Sequence, residues 1–331
     1  MSTVPAITPR DISRARQRIA PLVRRTPLLH SRALSERTST AVYLKLENLQ
    51  ETGSFKIRGA ANRLLHLTAE ERGRGVIAVS TGNHGRAVAH VARALDIPAV
   101  VCVSENVPRS KVEAIRGLGA EVVVQGRGYD EAEAHSHELQ RARGLTRAEP
   151  FDDPLVIAGQ GTIGLEILED LPEVDTAVVP LSGGGLIGGI ALALKGADRE
   201  IRVIGVSMDR APVMYHSLRA GRPIEMEELE TLADALAGGI GLDNRYTFGM
   251  VQQYVDETVL VTEEEIAAGM AFALKEHHLV VEGGGAVAIA ALLHGHVAHL
   301  GQQVAVVVSG GNVGLTVLHD ILESRVPGAS R

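Results

Sequence analysis

Seven short runs rich in β-branched residues recur along the chain: AVYLKLE (41–47), GVIAVST (75–81), AVVCVS (99–104), EVVVQG (121–126), AVVPLS (177–182), RVIGVS (202–207) and VAVVVSG (304–310). Several are apolar at consecutive positions, so both faces of such a strand must be buried, as happens when a sheet lies between two layers of helix. Segments of helical length separate the runs, and a strand, a crossover helix and a second strand make a parallel pair. The pattern therefore predicts an α/β fold with mostly parallel, twisted sheets flanked by helices. With 331 residues there is room for two cores.

Helix starts are legible where a cap and an apolar stripe coincide. Thr8 as N-cap, Pro9 at N1 and Asp11 at N3 open a helix whose buried face is Ile12, Ala15 and Ile19. The stretch VTEEEI repeats the logic with Thr262, Glu265 and Ile266. Composition excludes some functions. A net charge of −7, 3% aromatic residues and no Trp leave neither a basic stripe nor stacking platforms for nucleic acid. The one cysteine, Cys102, lies in an apolar run, so it reads as a buried thiol with no intrachain disulfide. The first residues lack a signal-peptide core and no apolar run is long enough to span a bilayer, so a cytoplasmic protein without membrane contact is expected.

In parallel α/β folds the chemistry sits on loops at the carboxyl ends of strands, and three such loops stand out. STGNHG (80–85) gathers Ser80, Thr81 and Asn83 at the start of a helix, a cradle for a carboxylate or another anion. LSGGGLIGG sets Gly183, Gly184 and Gly185 between a strand and a helix, where bare N–H groups can approach a phosphate. The same stretch matches G-x-G-x-x-G through Gly183, Gly185 and Gly188, with Asp209 near the end of the next strand, so an NAD-linked oxidoreductase competes as a reading. Ser309, in VVVSGGN, offers a hydroxyl at the end of the last run.

A fourth feature discriminates. In ETGSFKIRGA, Lys56 stands between Phe55 and Ile57, just after a turn. Apolar surroundings disfavour the charged amine, lower its pKa and leave it free to attack a carbonyl. A lysine for a Schiff base, a glycine cradle for one phosphate, an anion loop and a terminal serine together suit pyridoxal 5′-phosphate and an amino-acid substrate. Nicotinamide chemistry gives Lys56 no comparable role.

GSFKIRGA, STGNHG, SGGGL and SGGN, in this order, resemble the fold type II pyridoxal-phosphate enzymes with the tryptophan-synthase-β-like fold, in particular the threonine/serine dehydratase and serine racemase group. GGIGLDNRYTF (238–248) resembles the hydroxyectoine-utilisation dehydratases within it. The resemblance implies that Lys56 carries the cofactor and moves the α-proton, with Phe55 beside the ring. It implies that Asn83 bonds the phenolic oxygen, that Ser182, Gly183, Gly184, Gly185 and Leu186 hold the phosphate, and that Ser309 meets the ring nitrogen. Ser80, Thr81, Gly82, Asn83 and His84 would bind the substrate carboxylate, and Glu282 would be an acid near the cofactor. A hydroxyl partner leaves the ring nitrogen largely neutral, and the weaker electron sink favours prompt loss of a β-leaving group over transamination.

The expected reaction is therefore β-elimination from a β-hydroxy amino acid, such as serine, threonine or a hydroxyectoine-derived amino acid, giving a 2-oxo acid and ammonia. Racemases of this group place a Ser where this chain has Thr81, so amino-acid racemisation stays open as an alternative. They also bind a divalent cation through acids where Ser207 and Val213 stand here, so no metal site is expected. The histidines of HGHVAH (His294, His296, His299) and EHH (His277, His278) lack the spacing of a helical zinc site. The expected organisation is a large cofactor-binding domain (1–70 and 153–331), a small substrate-clamping domain (71–152) with AEPFDDP (148–154) as the crossing between them, and a homodimer. The regulatory domain of biosynthetic threonine dehydratases is not expected, nor is feedback by isoleucine.

Overall fold

A computed structural model of the chain describes residues 7–80, 82–107 and 109–323. Its strands are β1 (Leu28–His30), β2 (Ala41–Leu46), β3 (Val76–Val79), β4 (Ala99–Val103), β5 (Glu121–Val124), β6 (Thr146–Arg147), β7 (Thr176–Pro180), β8 (Arg202–Met208), β9 (Glu257–Val261) and β10 (Gln303–Val308). They form two sheets, one in the order β1-β2-β10-β7-β8-β9 and one in the order β5-β4-β3-β6. Every pair is parallel except the edge pair β1–β2.

All seven strands predicted from apolar runs are present. The three that the runs did not signal, β1, β6 and β9, each lie at a sheet edge. An edge strand buries less of itself and so needs fewer apolar residues: β10 is buried from Val304 to Val308, whereas β9 is buried only at Val261. Both anticipated helix starts form. Helix Pro9–Ile19 buries Ile12, Ala15 and Ile19, with Asp11 accepting from the Thr8 N–H at 3.0 Å. Helix Glu263–His277 is closed by reciprocal bonds between Thr262 and Glu265.

The register brings the functional loops to one edge. Leu46 of β2 pairs with Val308 of β10, so the chain leading to Lys56 and the turn at Ser309 leave the sheet side by side. The turn after β7 lies next along the same edge, since β7 also pairs with β10. Helices Pro154–Asp170 and Gly185–Ala197 cross beside this edge with almost no gap. A Cβ on Gly189 would sit 2.4 Å from the Ile157 carbonyl oxygen and 2.7 Å from the Gly161 nitrogen. Backbone cannot yield as a side-chain tip can, so Gly189→Ala should cost about 2 kcal/mol by forcing the helices apart. Urea unfolding of the variant checks this, and an unchanged midpoint would contradict it.

Candidate active site

Lys56 opens helix Lys56–Leu65, with Phe55 before it. Its half-buried amine donates to the Pro150 carbonyl at 2.8 Å and lies 5.3 Å from the centre of the Phe55 ring. Burial lowers the amine to about 8. Phe55 is held in turn, because its N–H donates to the Ser309 carbonyl at 3.0 Å and the neighbouring Ser54 bridges to Gly310. The serine turn after β10 and the lysine helix are thus stitched together by backbone.

Facing them is the loop after β3. The Gly82 N–H donates to Ser80 Oγ at 3.2 Å; Thr81 lies outside the described residues. His84 is buried, and burial together with nearby Lys56 pushes its imidazole down to about 3. It is therefore neutral and donates from Nε2 to the Ala148 carbonyl at 2.8 Å. Asn83 is buried too: its Nδ2 donates to Glu282 Oε1 at 2.6 Å, and its Oδ1 accepts from Asn312 Nδ2 at 2.6 Å. Glu282 stands just before helix Gly283–Leu293 and also accepts the Asn312 N–H at 3.2 Å. Burial, with Asp234 adding to it, pushes its carboxyl up to about 7. The glycines after it permit close packing, since a Cβ on Gly283 would lie 2.0 Å from the Leu232 carbonyl oxygen.

The glycine turn completes the cleft. Gly184 has φ +86°, a left-handed conformation that glycine adopts without strain, and Gly185 begins helix Gly185–Ala197 with no side chain capping it. A Cβ on Gly183 would meet the Phe151 ring at 2.5 Å, and one on Gly185 would meet the Phe151 carbonyl oxygen at 2.9 Å. Leu186 is buried among Ile187, Ile190 and their neighbours, so it can offer a ligand only its N–H. Ser182 is partly exposed beside them. Ser309 Oγ donates to the Gly284 carbonyl at a long 3.3 Å. An amine biased towards its neutral form, uncapped N–H groups at a glycine turn, a strand-end hydroxyl and a buried amide form a donor set that fits pyridoxal phosphate.

Sequence reasoning missed several residues here. The segment 148–153 is more than a crossing. Its carbonyls at Ala148 and Pro150 hold His84 and Lys56, and Phe151 backs the glycine turn. Asp152 accepts the N–H groups of Arg245, Tyr246 and Thr247 at 2.7, 2.9 and 2.8 Å, which anchors the end of the 238–248 stretch close to Gly184. Asn312 is a hub, bonding Thr52, Asn83 and Glu282 and accepting from Arg86. Its only signal was its place at the end of SGGN.

Elsewhere, Cys102 is buried and its thiol is pushed up to about 11 by burial. His296 lies 2.8 Å and His294 3.9 Å from Glu265, so these two are paired with a carboxylate and are not simply solvated. Ser207 donates to Met208 Sδ and Val213 is buried. Among the described residues no three His, Cys, Asp or Glu side chains converge as a metal site would require, and no helix is long and apolar enough to cross a membrane.

Residues 19–310 match the family described as pyridoxal-phosphate dependent enzyme. The chain belongs to that family. It is 47% identical over 316 residues to the L-threonine ammonia-lyase of Thermotoga maritima, covering 96% of this chain and 78% of the relative. Among solved structures, maize serine racemase superposes with a TM-score of 0.91 at 34% identity, covering 97% and 98% of the two chains. The processed form of threonine deaminase isoform 2 from Solanum lycopersicum gives 0.89 at 35% identity, covering 97% and 87%. The cofactor is pyridoxal 5′-phosphate, and the protein is an enzyme with the fold type II architecture. The nicotinamide reading of the glycine run falls. Its third glycine, Gly188, faces the Met250 side chain.

Proposed function

We propose that this enzyme is a lyase that removes water from a β-hydroxy amino acid, releasing a 2-oxo acid and ammonia. The observation that carries this reading is the Lys56 amine, its pKa lowered by burial and its position fixed by the carbonyl of Pro150, the residue before the Phe151 that backs the glycine turn. Bound pyridoxal phosphate supplies the electron sink that acidifies the substrate α-carbon. Lys56 Nζ takes that proton. Ser80, Gly82, Asn83 and His84, with Thr81, hold the substrate carboxylate at the start of helix Asn83–Ala94, where N–H groups and the helix dipole favour an anion. Because His84 is neutral and its one side-chain N–H is spent on the Ala148 carbonyl, its imidazole fixes the loop and leaves its backbone N–H to meet the carboxylate. Ser182, Gly183, Gly184, Gly185 and the Leu186 N–H receive the phosphate, Asn83 the phenolic oxygen and Ser309 the ring nitrogen. Glu282 faces the cofactor through Asn83.

The substrate class follows from two likenesses. The Thermotoga maritima relative is named for threonine, while the 238–248 stretch that Asp152 anchors resembles the hydroxyectoine dehydratases. We place a hydroxyectoine-derived amino acid beside threonine and serine as the substrates to test. The reading includes closure of a small domain, 71–152, over a large one, 1–70 and 153–331; the four-stranded sheet is drawn wholly from the former span. It also includes a cytoplasmic homodimer, in keeping with a lone buried thiol. The test is a panel of β-hydroxy amino acids assayed together for 2-oxo acid, ammonia and inverted amino acid. Equal yields of 2-oxo acid and ammonia are expected. Inverted product without 2-oxo acid would establish racemisation instead, the activity named for the maize structure.

A further inference from the structure

Behind the lysine helix, four charged side chains are sealed from water: Lys45 and Glu47 are 0% exposed, Arg58 1% and Glu166 5%. Arg58 grips both carboxylates. Its Nε and Nη2 donate to Glu47 at 2.8 and 2.7 Å, and its Nη1 and Nη2 to Glu166 at 2.7 and 2.9 Å. The remaining Nη1 hydrogen reaches Thr162 Oγ1 at 3.1 Å, so all five donors of the fork are used. Lys45 closes the set, 2.6 Å from Glu166, and two cations balance two anions. Burial works against the charge of Arg58, but the two carboxylates outweigh it and raise its pKa; the Glu47 carboxyl, with Arg58 outweighing its own burial, is held low.

Stability alone does not explain such a cluster, because apolar side chains of similar volume commonly hold a fold as well or better. A bidentate fork does what apolar packing does not: it fixes direction. We infer that Arg58 is the positioning residue for Lys56, tying the lysine helix at once to the two chain segments between which its amine must sit. The inference rests on the reading of Lys56 as the reactive amine. Glu47 begins the segment that runs from β2 into Lys56. Glu166 lies on helix Pro154–Asp170, which starts just after Pro150, the acceptor of the Lys56 amine. The same two helices touch through backbone: a Cβ on Gly159 would be 2.5 Å from the Arg58 carbonyl oxygen. The Gly59 N–H also donates to Gln160 at 3.1 Å. Rolling the lysine helix would break the fork on one side or the other, so the amine has one position. A displacement of about 1 Å at a reacting group can cost about 100-fold in rate.

Two variants of the holoenzyme test this. Arg58→Lys keeps a cation but loses the fork, and Lys45→Met with Glu47→Leu, Arg58→Met and Glu166→Leu replaces the cluster with apolar packing. Each is assayed well below its melting temperature, alongside a pH titration of the cofactor absorbance. Both should bind cofactor with KM within roughly twofold of the parent, lose about tenfold or more in kcat, and shift the midpoint of the absorbance titration. Folded variants with parental kcat and an unmoved midpoint would overturn the inference, as would a loss of rate that merely tracks the folded fraction. If the fourfold variant does not fold, Arg58→Lys decides alone. Failure of the underlying reading shows separately, as a parent enzyme that yields no pyridoxyl-labelled Lys56 peptide after borohydride reduction.

Discussion

Lys56→Ala should fold and lose turnover by roughly 1,000-fold or more, because on the proposed reading the group that moves the α-proton is gone. Lys56→Arg loses as much. A guanidinium keeps the charge and the stem but stays protonated, so it can neither attack an aldehyde nor accept a proton. Treating the parent with cofactor and borohydride should leave a pyridoxyl group on the Lys56 peptide, and neither variant should carry one there. Burial without a counter-ion supplies the reactivity, since among the described residues the Lys56 amine donates to the Pro150 carbonyl and pairs with no carboxylate. Bringing the amine to about 8 raises its neutral fraction near neutral pH by roughly 300-fold over an ordinary lysine. The rate of cofactor uptake by the cofactor-free chain should therefore climb with pH up to about 8 and level off above it. A parent chain labelled at another lysine, or an uptake rate still climbing well above pH 9 or so, would contradict this account of Lys56.

What the sequence revealed follows from how locally each feature is encoded. A strand buried on both faces writes its burial into consecutive residues, so β3, β4, β7, β8 and β10 were legible, and β2 nearly so. The edge strand β5 showed only through its run of three valines, and the other three edge strands carried no run as clear. The loops carrying Lys56, Asn83, Gly183 and Ser309 were legible because each packs a specific chemistry into a few neighbouring residues. Roles played through main-chain atoms leave no such mark. Pro150 and Ala148 act through carbonyls, which any residue could provide, and Phe151 backs the glycine turn as an unremarkable aromatic in a run of loop residues. The Arg58 cluster assembles from four residues spread between positions 45 and 166, with nothing local to set Arg58 apart from a solvated arginine. Glu282 read equally well as a surface acid, and only the fold shows it enclosed between Asn83 and Asn312.

That enclosure makes Glu282 the chain's clearest lever on stability against pH. Burial raises its carboxyl from the ordinary glutamate range to about 7, with Asp234 adding to the effect and the bonds from Asn83 and Asn312 opposing it. In the unfolded chain the group loses its proton near pH 4.5, so through the window from there to about 7 the folded state holds the proton and the unfolded state does not. The folded state is favoured by this difference at low pH, and the advantage drains away as pH rises through the window, by about 3 kcal/mol in all. At 4% exposed the carboxyl has little solvent to screen it, so that figure needs no large discount. Glu282→Gln has no proton to lose and should show none of this decline. Its amide oxygen can still accept from Asn83, but its NH2 end faces the Asn312 N–H, which costs about 1 kcal/mol at every pH. The variant should therefore be the less stable protein near pH 4, match the parent near pH 5 and be the more stable by about 2 kcal/mol near pH 8. Urea unfolding of both cofactor-free chains across that range checks the crossing. Parallel profiles would mean that Glu282 is already ionised in the fold and that its bonds from Asn83 and Asn312 outweigh its burial.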